Sequence, residues 1–102
     1  MKHDLRREYE AAAADLRRAG MGMLDAGLSE EQVARWMVDR RNDLRRQYRE
    51  VTPPEVVQVL ESHSVRRYGN SLGPSADQLR AAGKSWADII ESAARAGEMP
   101  QA

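Results

Sequence analysis

The sequence predicts an all-α protein, a compact bundle of about five helices joined by corners rich in glycine, serine and proline. Apolar residues recur at spacings of three and four along most of the chain, as they do on one face of an amphipathic helix. Glycine and serine separate these stretches in the order that ends one helix and begins the next. No useful length alternates apolar and polar residues, so no strand is predicted. We expect a single domain over residues 1–97 and a frayed tail over residues 98–102.

Composition limits the classes of function. The 102 residues include no cysteine, so neither a disulfide nor a thiolate metal site is expected. Sixteen Lys and Arg balance sixteen Asp and Glu, so the chain lacks the strong positive field of a dedicated nucleic-acid binder. No apolar run reaches about 18 residues, and no apolar stretch of the signal-peptide kind follows the first four residues. We therefore expect a cytoplasmic protein, in a producing or a target cell, with no membrane contact.

The first predicted helix covers residues 4–26 and has a narrow apolar seam. The seam consists of Leu5, Tyr9, Ala12, Leu16, Ala19 and Met23. Its central side chains are small, so the helix can approach a neighbour closely but buries little area. We expect this helix to be peripheral and to end at Gly27.

The second predicted helix is rich in arginine. Its expected apolar face consists of Val33, Trp36, Met37, Leu44, Tyr48 and Val51. Six arginines lie between Arg35 and Arg49, and Arg40 alone is placed within the apolar face. A buried arginine usually needs a carboxylate partner, so Arg40 is interpreted as salt-bridged, with an arginine directed into a cleft as the alternative. Acidic residues lie at spacings that permit ion pairs along the helix, which favours a solvated face over a phosphate-binding one.

Helix caps mark the start of a third helix. We expect Thr52 as its N-cap, Pro53 at its first position and Glu55 completing a capping box. Gly69 is expected to end it. Its expected buried stripe consists of Val56, Val57, Leu60, Ser64 and Tyr68.

Two short helices follow. Ser75 and Ser85 are expected to begin them, each through a capping box with the residue three positions later. Gly83 is expected to end the fourth helix and Gly97 the fifth. Residues 26–29 and 82–85 share the pattern Ala-Gly-x-Ser, which we interpret as two helix corners built alike and not as a duplicated functional unit.

The fourth and fifth helices also have the spacing of a DNA-reading helix-turn-helix. The helix that would read DNA, over residues 86–92, carries two acids and no base before Arg95. That face is poorly suited to the phosphate backbone and to base edges. The acidic charge of this helix therefore gives little support to DNA binding, which is kept as an alternative.

The stretch over residues 67–75 departs from helical patterning and contains two glycines, a proline, an asparagine and two serines. A metal-independent ribonuclease needs a histidine for proton transfer, a cation on the phosphate and a polar group on the ribose. The nearby residues that supply such groups are His63, Arg66, Arg67, Tyr68, Asn70 and Lys84. The structural alternative places His63 at the edge of the core, the arginines as helix caps and Asn70 in the turn. With two histidines far apart in sequence, no metal site and no cofactor are expected.

Several motifs between residues 41 and 95 occur in a familiar order. They are Arg41-Asn42-x-Leu44, Thr52-Pro53-Pro54, Tyr68-Gly69-Asn70-x-Leu72-Gly73-Pro74-Ser75, Gly83-Lys84-Ser85-Trp86 and Ile89-Ile90-Glu91-Ser92-Ala93-x-Arg95. In this order they resemble a small helical domain at the C-terminal tips of bacterial polymorphic toxins, including Rhs-type and contact-dependent inhibition effectors. The Tyr-Gly-Asn-x-Leu-Gly-Pro-Ser element is the most specific part.

The resemblance implies a toxic effector domain, often a nuclease, that a cognate immunity protein neutralises. Our hypothesis is an effector that cleaves RNA without a metal. Its expected catalytic residues are His63, Arg66, Arg67, Tyr68 and Asn70. Its expected substrate-binding residues are Arg41, Asn42, Ser75, Lys84 and Arg95. The alternative is a non-enzymatic helical module that binds DNA or a protein.

Overall fold

A computed structural model describes residues 2–69 and 73–94. Within these ranges the chain forms five helices and no strand, which confirms the predicted all-α class. The helices are α1 (Lys2–Asp25), α2 (Glu30–Arg49), α3 (Pro54–Tyr68), α4 (Ala76–Ala81) and α5 (Trp86–Ala93). None of the described helices is long and apolar enough to cross a membrane. The expected stop at Gly97 and the expected frayed tail lie outside the described residues.

Helix α2 is the centre of the fold, because α1 packs along one side of it and α4 and α5 pack along another. The core consists of Tyr9, Leu16, Val33, Ala34, Met37, Val38, Leu44, Ala76, Leu79, Ile89, Ile90 and Ala93. Four of the five helices contribute to this list, and α3 contributes none. The helix that stands apart from the core is therefore α3, whereas α1 takes part in it.

The predicted apolar face of α2 was correct for Val33, Met37 and Leu44, which are buried, but wrong at one edge. Trp36 is 37% exposed and Val51 60% exposed, whereas Ala34 and Val38 are fully buried. The buried arginine is Arg41, at 6% exposure, and Arg40 is exposed. A helix with partners on two sides buries a wider face than one with a single partner. The stripe therefore extends as far as Val38, and Arg41 lies within this wider face.

Helices α1 and α2 form an antiparallel pair with two close contacts. The rings of Tyr9 and Tyr48 meet edge to face, with centroids 5.5 Å apart and planes at 88°. Further along, a Cβ on Gly20 would lie 2.5 Å from Met37 Sδ, so a glycine is needed for this approach. Ala19, expected in the seam, is exposed because the buried line runs through Gly20.

The two Ala-Gly-x-Ser corners have the same construction, as predicted. The first glycine, Gly27, has φ 95° and the second, Gly83, has φ 92°, a left-handed conformation that suits glycine. In each corner the residue after the glycine donates its N–H across the turn, to the Met23 carbonyl in one case and the Leu79 carbonyl in the other. These are Schellman motifs. Serine capping boxes then begin α2 and α5, and a third begins α4.

The predicted start of α3 was wrong by one position. The N-cap is Pro53, no side chain caps the helix, and α3 begins at Pro54. The Thr52 hydroxyl instead donates to the Tyr48 carbonyl at the end of α2, so it is not available to cap α3. The end was predicted correctly, because Gly69 is left-handed, with φ 78°, and its N–H donates to the Val65 carbonyl.

Candidate functional site

The corner after α3 is attached to the core by two arginines one turn apart on α2. Buried Arg41 donates from Nη2 to the Pro74 carbonyl oxygen at 3.1 Å. Gly73 is buried with φ 116°, and a Cβ at this position would overlap the Arg45 guanidinium. Both its backbone conformation and its surroundings therefore favour glycine. Asn70 and the side chain of Tyr68 lie outside the described residues.

Ser75 lies at this corner, and Asn42 is the neighbour of Arg41 on α2. The Ser75 hydroxyl accepts the Gln78 N–H at 3.1 Å, and the Ser75 N–H donates to the Gln78 side chain at 2.9 Å. Ser75 therefore acts as a helix cap. Asn42 is half-buried, and its buried Oδ1 has no hydrogen-bond partner within the described part of the chain.

The last turns of α3 carry the expected catalytic cations. The side chains of His63, Arg66 and Arg67 are all exposed. The alternative interpretation of His63 as a residue at the core edge was therefore wrong, because its side chain is exposed and no described residue of α3 belongs to the core. Neither His63 nor Arg66 has a side-chain hydrogen bond or ion pair to any described residue. Both are available to an external ligand.

Lys84 lies in a different environment, at the corner between α4 and α5. Its carbonyl oxygen accepts Arg80 Nη1 at 3.2 Å. Arg80 and Arg35 stack over Trp86, with guanidinium carbons 4.7 and 5.0 Å from the ring centroid. This cluster joins α2, α4 and α5 and supplies a structural reason for the tryptophan.

Ion pairs complete the cluster around Arg35. Its guanidinium lies 3.0 Å from Asp77 and 3.1 Å from Glu31. Hydrogen bonding to Asp77, and then to Glu31, raises the pKa of Arg35 above its ordinary value. Because these groups are exposed, their pairing defines geometry more than it adds stability.

An open groove lies between the end of α2 and α3. Its volume is about 810 Å³, and its lining includes Arg49, Glu50, Val57, Glu61, Val65 and Arg66. Burial lowers the pKa of the Arg49 guanidinium from its ordinary value, an effect opposed by Glu61 and reinforced by Arg45. The groove thus combines apolar side chains with both signs of charge.

Sequence reasoning missed this groove because it placed Val57 in a buried stripe and gave Val59 and Val65 no role. Val57 is only half-buried and lines the groove. Val65 is 50% exposed and Val59 46% exposed. The signal that could have revealed this is the composition of α3, since Ser62, His63 and Ser64 interrupt its apolar stripe. A helix whose apolar stripe is interrupted in this way has less apolar area to bury against the core.

The structure thus brings Arg41 to the corner that contains Ser75 and groups His63, Arg66 and Arg67 on α3. It shows no contact of Asn42 with the described residues of that corner. Lys84 belongs to the tryptophan cluster, and Arg95 lies outside the described residues. Within residues 2–69 and 73–94, no cluster of three or more histidine or carboxylate side chains could hold a metal ion.

The helix-turn-helix alternative gains no support from the surface of α5. Ile89, Ile90 and Ala93 are buried, while Asp88 and Glu91 are exposed. The outward face of α5 is therefore acidic, which opposes contact with phosphates. In comparisons with models of protein families, with curated proteins and with solved structures, the chain has no significant match.

Proposed function

We propose that the chain is a helical binding module for a protein, with α3 and the adjoining groove as its recognition surface. The observation that carries this proposal is that no described side chain of the 15-residue α3 is buried. A helix of about this length is marginal on its own in water, and most helices gain stability by packing an apolar face. Helix α3 packs little within the chain, and contact with a partner would supply the missing burial.

The chemistry of the groove favours a protein over a nucleic acid. Arg49 and Arg66 share the groove with Glu50 and Glu61, and valines lie between them. A groove for single-stranded nucleic acid is typically basic and lined with aromatic side chains for stacking. Protein interfaces combine an apolar centre with paired charges at the rim. The mixed lining of this groove matches the second description.

Site-specific photo-crosslinking tests the proposal in the cells that carry the gene. A photoreactive side chain at Val65 should give an adduct of discrete mass with a protein, because this position lies in the groove. The matched control is the same group at Ala14, which is exposed on α1 and does not line the groove. Equal adducts from both positions, or none from Val65, would contradict the proposal.

The second candidate is the RNA-cleaving, toxin-like effector that the family resemblance implies, with a cognate immunity protein as partner. The observation that favours it is that His63 and Arg66 lie one turn apart on α3, exposed and without side-chain partners among the described residues. His63 would transfer the proton, and Arg66 or Arg67 would contact the phosphate. The reaction would need no metal.

Expression in a bacterium tests the second candidate. An active effector should arrest growth and degrade cellular RNA, and His63→Ala should remove both effects while the circular dichroism stays unchanged. Gln47→Ala, at an exposed position of α2 that does not line the groove, is the control and should remain toxic. Harmless accumulation of the unaltered chain, or full activity of His63→Ala, would exclude this mechanism.

A further inference from the structure

The outward face of α3 carries a seam of four side chains at helical spacing. Glu55, Val59, Ser62 and Arg66 follow each other at intervals of four, three and four residues, and all four are exposed. This is the spacing of a coiled-coil contact line. The seam therefore has the geometry of a helix-to-helix contact, although no described helix of the chain covers it.

The order of chemical types along the seam is self-complementary. It runs from an acidic residue through an apolar and a small residue to a basic one. If a second α3 lies antiparallel, Glu55 of each copy faces Arg66 of the other, and Val59 of each copy faces Ser62 of the other. A parallel pairing would instead oppose like charges at both ends. We infer that α3 pairs antiparallel with α3 of a second copy of this chain, across a two-fold axis between residues 60 and 61.

Two further properties favour this pairing. The formal net charge is zero, so two copies do not repel each other strongly. Antiparallel helices also place the positive N-terminal end of each dipole beside the negative C-terminal end of the other. A two-fold interface uses one surface patch twice, so every favourable contact of the seam occurs in duplicate.

The interface is small. One pair of helices of this length buries less than the roughly 1,200–2,000 Å² of a standard interface. The dimer is therefore transient and depends on protein concentration. This inference rests on the proposed function, since it names the partner that the recognition surface accepts.

Sedimentation velocity over a concentration series tests the pairing. The unaltered chain should shift from its 11.5 kDa monomer toward a dimer as concentration rises. Glu55→Arg and Arg66→Glu should each weaken dimerisation by about tenfold or more, because each turns two attractive pairs into two repulsive ones. The double variant should recover most of the affinity. A monomer at every concentration, or no recovery in the double variant with α3 helical by circular dichroism, would overturn the inference.

A substitution at the centre of the seam gives a second test that leaves the charges at both ends of α3 unchanged. Its result therefore does not depend on whether the charge-reversed helices fray. Val59→Lys places two like charges near the axis and should abolish the dimer, whereas Ala14→Lys on α1 should not. Dimerisation by Val59→Lys equal to that of the unaltered chain would overturn the pairing. If the chain stays monomeric while a crosslinker at Val65 captures a different protein, self-pairing fails and the binding module stands. Failure of both experiments removes both proposals.

Discussion

Arg41 is a buried charge whose hydrogen bond joins α2 to the corner before α4. Its Nη2 donates to the Pro74 carbonyl, and its side chain is packed, since the residue is only 6% exposed. Shortening it would remove that packing and leave a buried carbonyl without its donor. The contact therefore contributes both to stability and to the position of the corner.

We expect Arg41→Ala to lower the free energy of unfolding by about 2–4 kcal/mol. Arg40→Ala should change it by less than about 0.5 kcal/mol, because Arg40 is exposed. Urea denaturation followed by circular dichroism measures both values. Equal effects of the two substitutions would show that Arg41 does not have the buried role assigned to it.

Arg40 and Arg41 show how far the burial of single residues could be predicted from the sequence. The sequence analysis placed one arginine in the apolar stripe of α2, and one arginine of α2 is indeed buried. The predicted residue was Arg40, because the predicted stripe was centred on a face that includes bulky Trp36 and Val51. The observed stripe includes Ala34 and Val38 instead, and its centre lies nearer to Arg41. Small residues carry a weak hydrophobic signal, so which of them are buried depends on partners that a sequence does not display.

Two glycines of α1 have opposite roles in the pairing of helices. A Cβ on Gly20 would meet Met37, which is fully buried, whereas a Cβ on Gly22 would meet nothing within 4 Å. At Gly20 the absent side chain permits close packing against α2. At Gly22 the helix gains nothing from the glycine and loses helix propensity.

We predict that Gly22→Ala raises the free energy of unfolding by about 0.5–1 kcal/mol. Gly20→Ala should lower it by about 1–3 kcal/mol, because the core around Met37 must shift to admit a methyl group. Thermal unfolding of the two variants side by side gives the comparison. Stabilisation by both substitutions would mean that Met37 moves aside without strain.

At the scale of elements, the corners were predictable and the role of α3 was not. The corners depend on Gly27, Gly83 and the serine caps, which act on backbone groups within a few residues. A short stretch of sequence is therefore enough to predict them. Whether Val57 or Leu60 becomes buried depends on a surface supplied by other helices. The expectation that α1 is the peripheral helix therefore missed that α3 is the one outside the core.

At the scale of the described molecule, α1 and α2 form one helical hairpin, and α4 and α5 form a second one that packs against α2. Helix α3 connects the two hairpins in sequence but contributes nothing to the core between them. Local opening free energies follow buried contacts. The amides of α3 should therefore exchange with solvent hydrogen much faster than those in the middle of α2. Hydrogen exchange read by mass spectrometry checks this at low protein concentration, where self-pairing is minimal. Equal protection of α3 and α2 would contradict the loose packing described above.

The candidate site was predictable only in part at this scale. The resemblance included Arg41 and Pro74 among its motifs without predicting a contact between them, and the hydrogen bond that joins them was found only in the structure. The grouping of Lys84 with His63 stays a prediction, since the structure shows only that the Lys84 carbonyl accepts a hydrogen bond from Arg80, which stacks over Trp86. Such distant residues are brought together or kept apart by helix packing, which spacing along the chain does not determine.

The attachment of both ends of α3 has a consequence for how this surface can evolve. Thr52 fixes the chain before α3 to the end of α2, and the Gly73-Pro74 segment fixes the chain after it through two arginines. Between these anchors, outward residues such as Val59 and Ser62 can mutate with little penalty for folding. Partner preference can therefore drift from one lineage to another while the scaffold stays the same, and diversity between relatives should concentrate on α3.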